Sequence, residues 1–149
     1  GICNLRLGVG KDADNLYITC KVKDGELYSG GQGTQKGSGV FIYLDTKNEC
    51  LKEPAEGVYK VWCSYKGDIT VWQGNKGKWE NSELEGLQIT PSVVSGGYEL
   101  AFTIPLNRSF NKDAMRLCAT LSTKTYTETL VHSNADRSCT WMKMNLGGH

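Results

Sequence analysis

Apolar and polar residues alternate with a period of two in segment after segment of this chain, and no long window carries a helical stripe. Leu16, Ile18, Cys20 and Val22 interleave with Tyr17, Thr19, Lys21 and Lys23, which predicts a half-buried strand ended at Asp24-Gly25. A glycine-rich loop follows. Val40 to Asp45 then reads as a short apolar and aromatic strand buried on both faces. Val58 to Tyr65 and Ile69 to Gln73 flank Lys66-Gly67-Asp68, the pattern of a tight hairpin. Leu87 to Val94 is a further strand, placed at an edge or bulge by Pro91, which has no N–H to donate to a ladder. Gly96-Gly97 turns the chain into the alternation of Tyr98, Leu100, Phe102 and Ile104, which stops at Pro105. Asn107 to Ala114 is expected to form one helical turn, and Leu117 to Thr123, Thr127 to Val131 and Thr140 to Asn145 supply the last strands. A set of about nine or ten strands without a long helix predicts an all-β fold, a two-sheet antiparallel β-sandwich of jelly-roll or immunoglobulin-like kind.

At 149 residues the chain is expected to form one domain, a single sandwich over 1–146 with 147–149 as a linker or tag remnant. Lys+Arg at 17 against Asp+Glu at 16 leaves almost no net charge, so the long-range field that draws proteins to nucleic acid or acidic membranes is missing. Neither is an expected partner, and no run approaches the roughly 18 apolar residues of a membrane span. The start at Gly1 and the end at Gly147-Gly148-His149 are those expected of a module excised from a larger multidomain protein.

The six cysteines (Cys3, Cys20, Cys50, Cys63, Cys118 and Cys139) include no C-x-x-C pair and have no histidine spaced for zinc. Their spread suits cross-strand disulfides in an oxidising compartment, hence a secreted or cell-surface location. Pairing neighbours, Cys3 with Cys20, Cys50 with Cys63 and Cys118 with Cys139, closes the shortest loops, but spacing does not choose among connectivities. Some of the thiols can equally be small buried apolar residues.

The order of segments resembles the family 9 carbohydrate-binding modules and the wider DOMON-like sandwiches. The resemblance is carried by Asn15 to Asp24, Gly39 to Asp45, Gly57 to Trp62 and most specifically by Gly96-Gly-Tyr-Glu-Leu-Ala-Phe-Thr-Ile-Pro105, followed by Met115 to Leu121. It spans roughly residues 13 to 145 and its motifs are mainly structural. The family's two-tryptophan clamp is not matched: Gly37-Ser38-Gly39 and Phe41 stand where a tryptophan and an acidic residue are expected, and Ser133 to Ser138 holds no tryptophan. Lys60 takes the place of a basic sugar-binding residue, which the resemblance makes a candidate contact.

Recognition is expected from the tryptophans, because a flat indole stacks on the apolar C–H face of a sugar ring while its N–H remains free to donate. Trp62 and Trp72 flank the predicted hairpin and can share one sheet face, while Trp79 falls in the polar stretch Gly74 to Glu80, read as a loop. Trp141 and Tyr28 complete the aromatic candidates, set against the bland reading that tryptophans pack in the core. The Gly30 to Gly39 loop lacks the lysine order and following helix of a phosphate-binding loop. It is read either as functionless or as a polar rim in which Gln32, Thr34 and Gln35 reach sugar hydroxyls.

No cofactor is expected beyond a structural calcium that Asp12 and Asp14 could bind, with the competing reading of turn residues that satisfy local backbone. Met115, Met142, Met144 and His132 supply haem-ligating atoms without the pattern of haem-binding DOMON domains. Glu53, Glu56, Glu80, Glu83 and Glu85 crowd predicted loops, and no nucleophile-elbow motif accompanies His132, so no enzyme activity is expected. Asn107-Arg108-Ser109 is a glycosylation sequon. The expected function is that of a non-catalytic module binding a polysaccharide, such as a plant cell-wall β-glucan, xylan or mannan, as an accessory to a degrading enzyme. The rival is an adhesion or scaffold sandwich whose aromatics meet a protein partner.

Overall fold

Two of the alternating segments turn out to be neighbours. Leu16, Ile18, Cys20 and Val22 stand opposite Ile104, Phe102, Leu100 and Tyr98 in antiparallel register, so two apolar rows merge into one buried surface. All eight side chains are 4 % exposed or less, and the aliphatic ones and Phe102 each contribute about 1.5–3 kcal/mol of transfer free energy. The computed structural model describes residues 3–30, 37–123, 127–129 and 135–147.

The described strands are β1 (Asn4–Lys11), β2 (Asn15–Lys23), β3 (Gly39–Asp45), β4 (Val58–Ser64), β5 (Ile69–Asn75) and β6 (Lys78–Asn81). They continue as β7 (Gln88–Val94), β8 (Gly97–Pro105), β9 (Ala114–Ser122), β10 (Thr127–Thr129) and β11 (Met142–Asn145). One sheet has the order β1-β2-β8-β7. The other runs β10-β9-β3-β4-β5-β6, with β11 sharing the free edge of β9 alongside β10. All pairings are antiparallel. The inner faces enclose one core in which Val40, Ile42, Leu44, Val61, Leu117 and Ala119 of the larger sheet meet the β2 and β8 rows.

Pro91 lies on β7 at the sheet's outer edge, as its missing N–H requires. β1 was not expected, because Gly8 and Gly10 interrupt its apolar alternation; its pairing along the whole of β2 supplies what the local pattern lacks. Asn107 to Ala114 is not a helical turn. Phe110 N–H donates to the Asn107 carbonyl at 3.1 Å, and the Asn111 side chain accepts from the amides of Asp113 and Ala114, which turns the chain without winding it. Phe110 thereby plugs one end of the core against Tyr59.

The neighbour pairing of cysteines is also corrected. Cys50 bonds to Cys139 across 89 residues, while Cys3, Cys20, Cys63 and Cys118 are free thiols. Cys20 and Cys63 belong to the core and behave as small apolar residues.

Candidate functional site

Strand parity sorts the larger sheet into two faces. With Val40, Ile42 and Leu44 directed at the smaller sheet, Phe41 and Tyr43 emerge on the far side, and β3 is buried on both faces because that far side carries a second small core. Register then sets the neighbours. Trp62 lies opposite Phe41, Lys60 opposite Tyr43, and Trp72 opposite Lys60 on the next strand, so Trp62 and Trp72 share one face. Trp79 joins them from β6. The stretch read as a polar loop is a hairpin: Lys76 and Gly77 both have positive φ (50° and 85°), the geometry of a two-residue type I′ turn, which returns the chain as a strand.

The result is a continuous aromatic cluster. Ring centroids are 4.8 Å apart for Phe41 and Trp62, 6.3 Å for Phe41 and Trp72, 6.0 Å for Tyr43 and Trp79, and 5.8 Å for Tyr43 and Trp141. Lys60 stands in its middle, its Nζ 4.8 Å from the Trp72 centroid, 5.1 Å from Phe41, 5.8 Å from Tyr43 and 5.9 Å from Trp79. Each ring face is within reach of a cation–π attraction. Partial burial lowers the pKa of Lys60 below the ordinary lysine value, and the Asp136 carboxylate pulls in the opposite direction.

Two of the indoles are structural. Trp141 is 3 % and Trp62 4 % exposed. Trp62 packs so tightly over Gly39 that a Cβ there would lie 2.4 Å from its ring, so β3 must start with a residue lacking a side chain. Trp72 and Trp79 are only partly buried and present ring surface to solvent.

A loop and a late segment frame this face. Asp45, fully buried, accepts from the amides of Glu49 and Cys50 at 3.3 and 3.1 Å and so sets the loop that carries Cys50. The disulfide to Cys139, the Leu51 N–H to Ser138 Oγ bond (2.6 Å) and the Cys139 N–H to Leu51 carbonyl bond (3.1 Å) clip the late segment to that loop. Asp136 on this segment then accepts from Trp79 Nε1 at 3.0 Å. Burial raises Tyr43 to about 12 and Cys118 to about 11, so both remain protonated at neutral pH. The face offers flat apolar surface, a cation and a carboxylate, which are the parts of a binding site.

Phe41, Tyr43 and Asp136 escaped the sequence reading. The first two were legible as the odd positions of a strand whose even positions are aliphatic. Asp136 reaches Trp79 from 57 residues away, which no local pattern reports. Among the other candidates, Tyr28 is 47 % exposed and, among the described residues, makes no ring contact with the cluster; Gln32, Thr34, Gln35 and His132 lie outside the described residues. Asp12 uses both carboxylate oxygens locally, accepting from the Asp14 and Asn15 amides and from the Tyr17 hydroxyl, so it serves a turn. Asp14 sits beside it and is exposed. Met115 and Met144 are core residues paired across β9 and β11. Glu83 and Glu85 line an open cavity of about 470 Å³ with Tyr59 and Phe110 at the end of the sandwich, and Glu56 and Glu80 line a smaller one of about 210 Å³ with Gly74 and Asn81, the cross-strand partners of Trp79 and Trp72.

No protein-family model matches this sequence, and no curated protein does. Solved structures do. A family 9 carbohydrate-binding module from Caldicellulosiruptor kristjanssonii in complex with cellotriose superposes with a TM-score of 0.80 at 14 % identity, over 99 % of this chain and 76 % of that one. The module in complex with glucose gives a TM-score of 0.79 at 14 % identity, over 99 % and 78 %. Eleven described strands in two antiparallel sheets, matched over nearly the whole chain, give this protein the β-sandwich fold of the family 9 carbohydrate-binding modules.

Proposed function

We propose that this chain is a non-catalytic carbohydrate-binding module whose ligand lies on the outer face of the larger sheet. The observation that carries the reading is the partly exposed Trp72 and Trp79 pair around Lys60 and Asp136. Indole faces match the apolar faces of pyranose rings, the ammonium donates to hydroxyls and the carboxylate accepts from them. Because the rings are held by a packed sheet, little ordering cost is incurred on binding. The structural neighbours, described as modules in complex with cellotriose and glucose, support a β-linked glucan or related cell-wall polysaccharide as ligand. The same likeness and the disulfide support an extracellular location within a larger, polysaccharide-directed protein.

Affinity electrophoresis against β-glucan, xylan and mannan tests this. Trp72→Ala and Trp79→Ala are each expected to cost about 2 kcal/mol, roughly 30-fold in Kd, while retaining the fold. Wild-type mobility of both variants in every gel that retards the parent would move the site elsewhere. Absence of retardation by any glycan would leave the aromatic face to a protein partner.

A further inference from the structure

The Lys60 ammonium is half-buried among four rings, the nearest of them Trp72 at 4.8 Å and the farthest Trp79 at 5.9 Å. Among the described residues, none accepts a hydrogen bond from it and none forms an ion pair with it. Ring faces attract a cation but offer its three N–H donors no lone pair of ordinary strength, so a water or a ligand must complete its shell. A neutral sugar hydroxyl would supply one ordinary hydrogen bond. A carboxylate would supply charge-assisted ones, roughly twice as strong, and would return a counter-charge to a cation that has lost part of its hydration. The opposing charge is Asp136, which acts on Lys60 electrostatically and accepts the N–H of Trp79, the ring farthest from the ammonium.

We infer that this face prefers pyranose rings bearing a carboxylate, uronate-containing glycans, and that Lys60 determines that preference. This rests on the glycan-binding reading above and names its substrate class.

The test uses matched pairs that differ only in charge. Oligogalacturonides and glucuronate-substituted xylo-oligosaccharides are titrated calorimetrically as free acids and as methyl esters, beside neutral cello- and xylo-oligosaccharides. At least one free acid is expected to bind about tenfold or more tightly than its own ester and to weaken as salt is raised. Lys60→Met removes the charge and keeps much of the packing volume; it is expected to abolish the difference between acid and ester, whereas Lys60→Arg keeps it. Esters that bind as tightly as their acids, or an acid preference that survives in a folded Lys60→Met, overturn the inference. Where Lys60→Met melts early, salt decides: acid binding that does not change between low and high salt overturns it. Neutral oligosaccharides bound without any acid preference sink this inference alone, while no binding by acidic or neutral glycans sinks it together with the reading on which it rests.

Discussion

Removing the Cys50–Cys139 disulfide, by Cys50→Ser with Cys139→Ser, should weaken both the fold and the aromatic face. The bond closes a loop of 89 residues, for which the chain-entropy relation gives about 4.6 kcal/mol at 25 °C, with about 2–4 kcal/mol typical of measured cases. For a chain of this size that is a melting-temperature drop of roughly 5–15 °C. Little is added by side-chain loss, because Cys139 is exposed and Cys50 only partly buried. The local effect is more specific. The disulfide, the Leu51 amide bond to Ser138 Oγ and the Cys139 amide bond to Leu51 hold the segment that presents Asp136 to Trp79 and buries Trp141 against Tyr43. Urea unfolding by far-ultraviolet circular dichroism measures the global term, and tryptophan fluorescence with glycan titration under native conditions measures the local one. The expected result is a lower unfolding midpoint, a shifted emission maximum before unfolding, and weakened glycan binding. A double variant within about 1 kcal/mol of the parent that binds normally would refute the reasoning, because the remaining hydrogen bonds would then suffice to hold the segment.

Two further outcomes follow from the core. The Tyr98 hydroxyl is fully buried and, among the described residues, has no hydrogen-bond partner, so Tyr98→Phe is expected to be neutral or to stabilise the protein by about 1 kcal/mol; a lower urea midpoint would show that the hydroxyl is bonded. Cys20, Cys63 and Cys118 are buried, and burial pushes Cys63 up to about 12 and Cys118 to about 11. Burial and the neighbouring Asp24 raise the Cys3 thiol as well, but Cys3 is only partly buried, so at about pH 8 iodoacetamide should reach it well before these three. Equal rates at Cys3 and Cys63 by mass spectrometry would contradict the packing.

Much of the fold could be read directly because alternation is a local property. The rows at Leu16 to Val22 and Tyr98 to Ile104 each state which face is buried, and Pro91 states that its strand is an edge. Trp62 and Trp72 could be placed on one face because a tight turn fixes hairpin parity. Where the local signal was weak the reading failed: glycines hid β1, and the Lys76-Gly77 turn made a strand look like a loop.

The residue pattern by itself determined a two-sheet β-sandwich and its wealth of aromatic side chains, since period-two burial and turn chemistry depend on neighbours in the chain. Only the tertiary structure decided that Cys50 meets Cys139, that Asp136 meets Trp79, and that Lys60 stands among four rings while Trp62 and Trp141 are sealed. Those contacts join residues tens of positions apart. Strand order and long-range packing create them, and a one-dimensional pattern holds no record of which distant strands will lie side by side.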